Sequence, residues 1–307
     1  MDLRHMRHFV AVAEELHFGR AALRLNIAQP PLSQSIRRLE TDIGVELFDR
    51  TRRNVELTSA GKVFLAEARR TLRHAELAQK MAQREASRPA ETRVSFVGPA
   101  LYRVLPDLLF RHRAIAPKVN IRLFEAASPA QVEGILAGDF DIGFMVGGTA
   151  TGTECETMVM ERAPLLAAVP ASWKLAEQSS ISLEQLAEQP FIRPPPKYSP
   201  HPTEMFNIFK RVGVMPVVVQ EARQTNTALG LIGAGLGCSL VMATAALAKP
   251  GNVKFLPIDD LPTYRRWELM MVWHPEYIGP LAADFLAVAK TYVRENLQLL
   301  GLADEEG

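Results

Sequence analysis

The 307-residue sequence predicts an α/β protein with an all-α head at its N-terminus. Three observations predict this. The segment "IAQPPLSQSIRRLE" reads as a proline-opened amphipathic helix that follows a shorter helix and a tight turn. The uninterrupted run "TSAGKVFLAEARRTLRHAELAQKMAQREASRP" reads as one long helix. From there to the C-terminus, short apolar strands alternate with helices, as in parallel sheets covered by helices. Apolar residues make up 48% of the chain, which excludes a disordered protein and supports a sizeable core.

In the head, Leu3, Met6, Val10 and Ala13 form a first helical stripe. "HFGR" follows, with Gly19 as a break. Ala21, Ala22 and Leu25 give a short second helix, and "NIA" is a tight turn. Pro30 and Pro31 then belong to the first turn of a third helix, where the backbone N–H groups have no intrahelical acceptor and proline is tolerated. Leu32, Ile36, Leu39 and Ile43 recur at helical spacing, and Ser33, Gln34, Arg37 and Arg38 occupy the opposite face. A short helix, a brief turn and a second helix with a polar outer face is the helix-turn-helix pattern. "VELFDRTRRNVELT" then reads as a two-stranded wing with Arg50, Arg52 and Arg53 at its tip.

This arrangement suits duplex DNA. Ser33, Gln34 and Arg37 are placed to reach base edges in the major groove, and Arg52 and Arg53 the backbone or minor groove. Charge agrees: residues 1–88 hold 16 Lys/Arg against 11 Asp/Glu, and the other 219 residues hold 19 against 23. A basic head on a mildly acidic body points to a polyanion partner for the head alone.

The segment "HFGRAALRLNIAQPPLSQSIRRLETDIGVELFDRTRRNVELTSAG" closely resembles the N-terminal signature of the LysR-type transcriptional regulators, in particular the branch responsive to benzoate, muconate and similar intermediates of aromatic degradation. The resemblance is specific over about residues 1–65 and extends to the rest in layout. It implies that Gln29, Pro30, Pro31, Ser33, Gln34 and Arg37 lie on the groove or adjacent phosphates, with Arg53 on the wing. It also implies a linker helix that pairs two subunits, a dyad-related promoter site, RNA polymerase as a partner, and a homodimer that assembles into a homotetramer. The sequence itself offers a heptad-like seam for such pairing, with Leu65 and Leu72 seven apart and Ala68 and Ala75 beside them. The expected divisions are a winged helix-turn-helix at 1–58, a linker helix at 59–88 and an effector-binding domain at 89–307. By resemblance the last is periplasmic-binding-protein-like: two Rossmann-like subdomains, about 92–161 with 268–307 and about 162–267, with crossovers near Arg162 and Trp267 and a ligand cleft between them.

Candidate cleft residues follow from strand ends and helix starts. "GPALY" supplies Pro99, Ala100 and Tyr102 after the first strand. Ser128 precedes Pro129 as a helix N-cap suited to a carboxylate. Phe144, Met145 and Val146 end the third strand, "RPPPKYSPHP" offers Tyr198 and His201, and Thr225, Asn226 and Thr227 open another helix. The related branch often carries a hydroxyl at the position of Pro99 and an arginine at that of Val146. Their replacement here favours an effector with one acidic or polar end and a larger apolar or aromatic body over a compact dicarboxylate. Arg103 or Lys197 is a candidate for supplying the missing charge.

Other classes find little support. No G-x-S-x-G elbow, Walker loop, H-E-x-x-H or metal-spaced His/Cys set occurs, so no catalytic residue, metal or cofactor is expected. His112 and His274 read as surface or structural residues. Two alternatives remain: a redox-sensing regulator of the same family, although Cys155 and Cys238 are far apart in sequence, and, behind it, an α/β enzyme with a DNA-binding head. Two unpaired cysteines and a start without an apolar leader fit the reducing cytoplasm. Residues 229–248 carry no charge and are long enough for a membrane, but four glycines recast them as a short helix, a turn, a buried strand and another helix start.

Overall fold

The computed structural model describes residues 1–49, 55–87, 91–147, 150–195, 201–261 and 267–303, with the side chains of 84–87 and 201–205 outside that description. The chain forms two compact units, Met1–Ser87 and Arg88–Gly307.

The first unit comprises α1 (Leu3–Glu15), α2 (Phe18–Arg24), α3 (Gln29–Ile43), a ribbon of β1 (Phe48–Asp49) and β2 (Glu56–Leu57), and α4 (Ser59–Ser87). Asp2 caps α1 by accepting the His5 N–H at 2.8 Å. The buried face of α1 is Met6, Phe9, Val12 and Ala13, whereas Leu3 is exposed and Val10 only half-buried. This corrects the expected stripe: α2, α3 and α4 all pack on α1, so more than one face is covered. Gly19 is no break but lies inside α2, where a Cβ would come within 3.0 Å of the His17 ring that caps the helix. Asn26, at φ +54°, makes the turn into α3, a conformation asparagine tolerates. The two prolines sit at the start of α3, as their chemistry requires. Leu32, Ile36 and Leu39 are fully buried against Phe9, Leu47 and Phe48.

Helix α4 begins with the Thr58 hydroxyl accepting the Gly61 N–H at 2.9 Å. Its Ala68 is 1% exposed, and Leu65 and Leu72 pack beside it onto the head core. The expected pairing seam is therefore largely consumed within its own unit. Ala75, one turn further, remains half-buried.

The second unit contains β3 (Glu91–Phe96), a 3₁₀ turn (Gly98–Tyr102), α5 (Val104–Ile115), β4 (Asn120–Glu125), α6 (Ser128–Leu136), β5 (Ile142–Val146), β6 (Glu156–Ala163), β7 (Leu165–Pro170), α7 (Leu183–Ala187), β8 (Phe191–Arg193), α8 (His201–Arg211), β9 (Val218–Glu221), α9 (Thr225–Gly233), β10 (Ser239–Met242), β11 (Val253–Leu256), β12 (Trp267–Trp273) and α10 (Pro280–Glu295). One sheet runs β4-β3-β5-β12-β6; a second runs β10-β7-β11, with β8-β9 beside it. The first sheet is mixed and the second antiparallel, rather than parallel. β3 is parallel to β4 and β5, but β12 is antiparallel to β5 and β6, and β10 and β11 are antiparallel to β7. The cause is connectivity: β6 passes straight into β7, and the chain returns as β12 against the direction of its neighbours.

The chain passes from β6 to β7 after Ala163 and returns at Trp267. Ala163 pairs with Trp267, and Arg162 Nε donates to Glu268 at 2.8 Å. β7 shows the two-residue alternation of a strand covered on both faces. Leu165, Ala167 and Val169 join one apolar cluster with α7 and α8, and Ala168 joins another with α9. The charge-free run becomes α9, a turn at Gly235 with φ +83°, strand β10 and a 3₁₀ helix. Among the described residues no helix is long and apolar enough to cross a membrane.

Candidate functional site

The candidate nucleic-acid face comes first. Burying Leu32, Ile36 and Leu39 turns Gln29, Pro30, Pro31, Gln34, Arg37 and Arg38 outward, all exposed, with Ser33 half-buried at the edge. His8 on α1 meets the Ser35 hydroxyl at 2.8 Å and fixes the roll of α3. Burial holds the His8 imidazole below its ordinary range, which favours a neutral acceptor or donor there. The Glu14 carboxylate ties three helices, meeting Arg24 and Arg69 at 2.7 Å each. The hydrogen bond from Arg69 is the main reason its carboxyl sits below the usual range. Arg52 and Arg53 lie outside the described residues.

The second site is a cavity of about 340 Å³ between the two sheets of the second unit. Its walls include Pro99, Ser128, Val146 and Thr225, four of the expected residues. Ser128 is the first residue of α6 rather than its N-cap, which is Ala127; its hydroxyl oxygen accepts the Val146 N–H at 3.3 Å. Thr225 opens α9, which faces the cavity from the other side.

The other described candidates do not line it. Ala100 and Phe144 are fully buried in the core of the first sheet. Met145 faces the opposite side of that sheet with Val132 and Ile135, because successive strand residues alternate. Tyr102 donates to Asn226 Oδ1 at 2.7 Å, a bond that joins the two subdomains beside the cavity. Burial and the charge of Glu125 push that phenol up to about 12, so it stays a donor. Thr227 is exposed outside the cavity. Tyr198 and Lys197 lie outside the described residues, and His201 begins α8 with its side chain outside them.

Residues missed from sequence supply most of the character of the site. Val97, Leu165, Leu240, Val241, Met242 and Trp267 give it an apolar body. Arg193 and Arg223 bring positive charge and Glu125 negative charge. Arg103, a candidate for the missing charge, is engaged elsewhere: Glu161 lies 3.0 Å from its guanidinium and the Leu299 carbonyl 2.7 Å. His112 is structural, 1% exposed beside the Phe285 ring. Cys155 and Cys238 belong to different apolar clusters, and burial pushes both thiols up, Cys238 to about 12. Among the described residues no His/Cys/Asp/Glu group is arranged to hold a metal.

A basic helical head with a proline-opened third helix, followed by two α/β subdomains around a cleft, defines a DNA-binding regulator with a sensor domain. Residues 3–62 match the bacterial regulatory helix-turn-helix of the LysR family and residues 86–294 its substrate-binding domain; the chain belongs to the LysR family of transcriptional regulators. It is 36% identical over 295 residues to the regulator AlsR of Bacillus subtilis, covering 94% of this chain and 95% of AlsR. It is 35% identical over 266 residues to BenM of Acinetobacter baylyi, covering 85% and 86%. Full-length BenM superposes with a TM-score of 0.57 at 29% identity, covering 96% of this chain and 98% of BenM. Full-length CbnR in complex with its target DNA superposes at 0.56 and 29%, covering 95% and 99%.

Proposed function

We propose that this regulator reads a dyad-related promoter site through α3, as a homodimer that assembles into a homotetramer, under the control of a small organic acid held in the cleft. Gln29, Pro30, Pro31, Ser33, Gln34, Arg37 and Arg38 meet the groove and its phosphates, and Arg52 and Arg53 add contacts to backbone or minor groove. The effector has one acidic end and an apolar or aromatic body. RNA polymerase is the partner addressed at the promoter, and the cytoplasm is the compartment.

The observation that carries the sensing half is the cavity itself. It is the size of a small-molecule site, mostly apolar, with a few polar groups converging on it. A buried carboxylate needs donors or countercharge to offset desolvation. The Ser128 hydroxyl, the first turns of α6 and α9 and the two arginines supply both. CbnR, a relative in sequence layout and fold, is a DNA-bound regulator in the complex named above.

Footprinting on the DNA flanking its own gene, with and without a panel of aromatic monoacids and dicarboxylates, tests the whole reading. A dyad footprint that changes with one acid supports it. An unchanged footprint in a chain lacking residues 1–60 overturns the DNA assignment. Calorimetric binding of muconate tighter than every aromatic monoacid overturns the effector class.

A further inference from the structure

Within the effector reading just given, on which this inference rests, the charges of the cavity are divided between its walls. Glu125 stands on the first-sheet side, at the end of β4. Arg193 and Arg223 stand on the second-sheet side, the first at the end of β8 and the second just after β9. An anionic group is therefore favoured at the second wall and opposed near Glu125.

The two arginines are not equivalent. Arg223 is exposed. Arg193 is three-quarters buried and held from two directions. β8 and β9 run parallel and place Arg193 directly beside Glu221. The Glu221 Oε1 accepts from Arg193 Nε at 3.2 Å and from Nη2 at 2.9 Å. The Phe206 ring on α8 lies under the guanidinium, 5.2 Å from its centroid. A guanidinium carries five N–H donors in a fixed fork, more than one carboxylate oxygen can use. Its planar shape suits bidentate capture of a second carboxylate. Glu221, being 43% exposed, only partly neutralises it.

We propose that Arg193 is the specificity-determining residue of the cleft. Its guanidinium, oriented by Glu221 and Phe206, takes the carboxylate of the effector, while the apolar wall from Val146 to Trp267 takes the body. Glu221 is a positioning residue that also sets the strength of the capture. The countercharge missing at Val146 on the first wall is thus supplied from the second, and an effector bound this way joins the two subdomains.

The test is calorimetry and thermal shift on the full chain with a panel of aromatic carboxylic acids, benzoate among them, each paired with its neutral amide. Arg193→Leu is expected to weaken the acids by about tenfold to a hundredfold, the range of a charge-assisted hydrogen bond, and to leave the amides unchanged. Glu221→Gln keeps an acceptor for Arg193 but removes the competing charge. It is expected to tighten the acids about threefold and leave the amides alone. A purely structural Arg193–Glu221 pair would shift acids and amides alike, overturning the proposal. Loss of acid binding in Arg223→Leu, with Arg193→Leu unaffected, would also overturn it. If no acid of the panel binds the unmodified chain, the effector reading itself falls, and this proposal with it.

Discussion

Gln34 and Arg37 stand one turn apart on the open face of α3, and neither packs against the head core. Their replacement should therefore leave the fold alone and change only what the helix reads. Gln34→Ala is expected to relax base preference by about 1–3 kcal/mol at one position, measured by competition between single-base variants of the site. Arg37→Ala, if it meets a phosphate, should weaken all sequences alike and flatten the salt dependence by about one unit of slope. Glu14 makes a different prediction because it works on stability. Its carboxyl is held below its ordinary range, so its contribution is complete above the unfolded value and lost as pH falls through the folded one. Glu14→Gln should lower stability by about 0.5–1 kcal/mol near neutrality, a figure reduced for solvent screening of the exposed arginines. The difference should fade in denaturant melts below about pH 4. At this scale the exposed face of α3 was legible because a buried stripe fixes the opposite face. The cleft was less so. Ser128 and Val146 sit at element ends that local pattern reveals, but Arg193 and Trp267 reach the cavity only because two sheets converge there. No spacing within one segment encodes that approach. Phe144 and Met145 failed for a local reason: adjacent strand residues point to opposite faces, and both faces of that sheet are covered.

Helix α4 shows how an element can carry two messages on opposite faces. It is 29 residues long, about 43 Å at the α-helical rise. Leu65, Ala68 and Leu72 lie on one side and complete the head core. Val63 and Met81 are five turns apart on the other side and stay exposed, Val63 by 69%. The seam was visible in the sequence, but its partner was not, because periodicity reports an apolar face and not what covers it. The proposed subunit pairing then has to use the outer face. Val63→Glu is expected to shift a dimer toward monomer in sedimentation equilibrium while the thermal melt of dilute protein stays unchanged. Leu72→Glu is expected to do the reverse at first, lowering the melt by about 2 kcal/mol or more because a charge enters the head packing. A dimer that survives Val63→Glu would place the subunit interface elsewhere. The same element explains Gly61. Its Cβ would overlap the Leu47 carbonyl, so the helix start and the ribbon can approach only at a glycine.

At the scale of the whole molecule, the chain separates into Met1–Ser87 and Arg88–Gly307. The α/β character of the second unit was legible in its alternating elements, and the order of the strands was not. Antiparallel β12 comes from a chain that leaves the first subdomain after Ala163 and returns at Trp267, a long-range event no window of sequence contains. Each unit has its own apolar core. The head core includes Phe9, Leu32 and Phe48, and the second unit's first subdomain is built around Phe144, Met271 and Phe285. All of the residues lining the cavity belong to the second unit, as do the Tyr102–Asn226 bond and the Arg162–Glu268 pair beside it. A fragment of residues 88–307 should therefore fold alone, because a unit with its own core carries its stability with it. It is expected to melt cooperatively and to bind the effector with the affinity of the full chain in calorimetry. It should show no affinity for the promoter duplex, because the basic excess and α3 both lie in the head. If the fragment folds but binds every acid of the panel much more weakly than the full chain, the cavity is not the whole of the effector site. The head must then contribute to it.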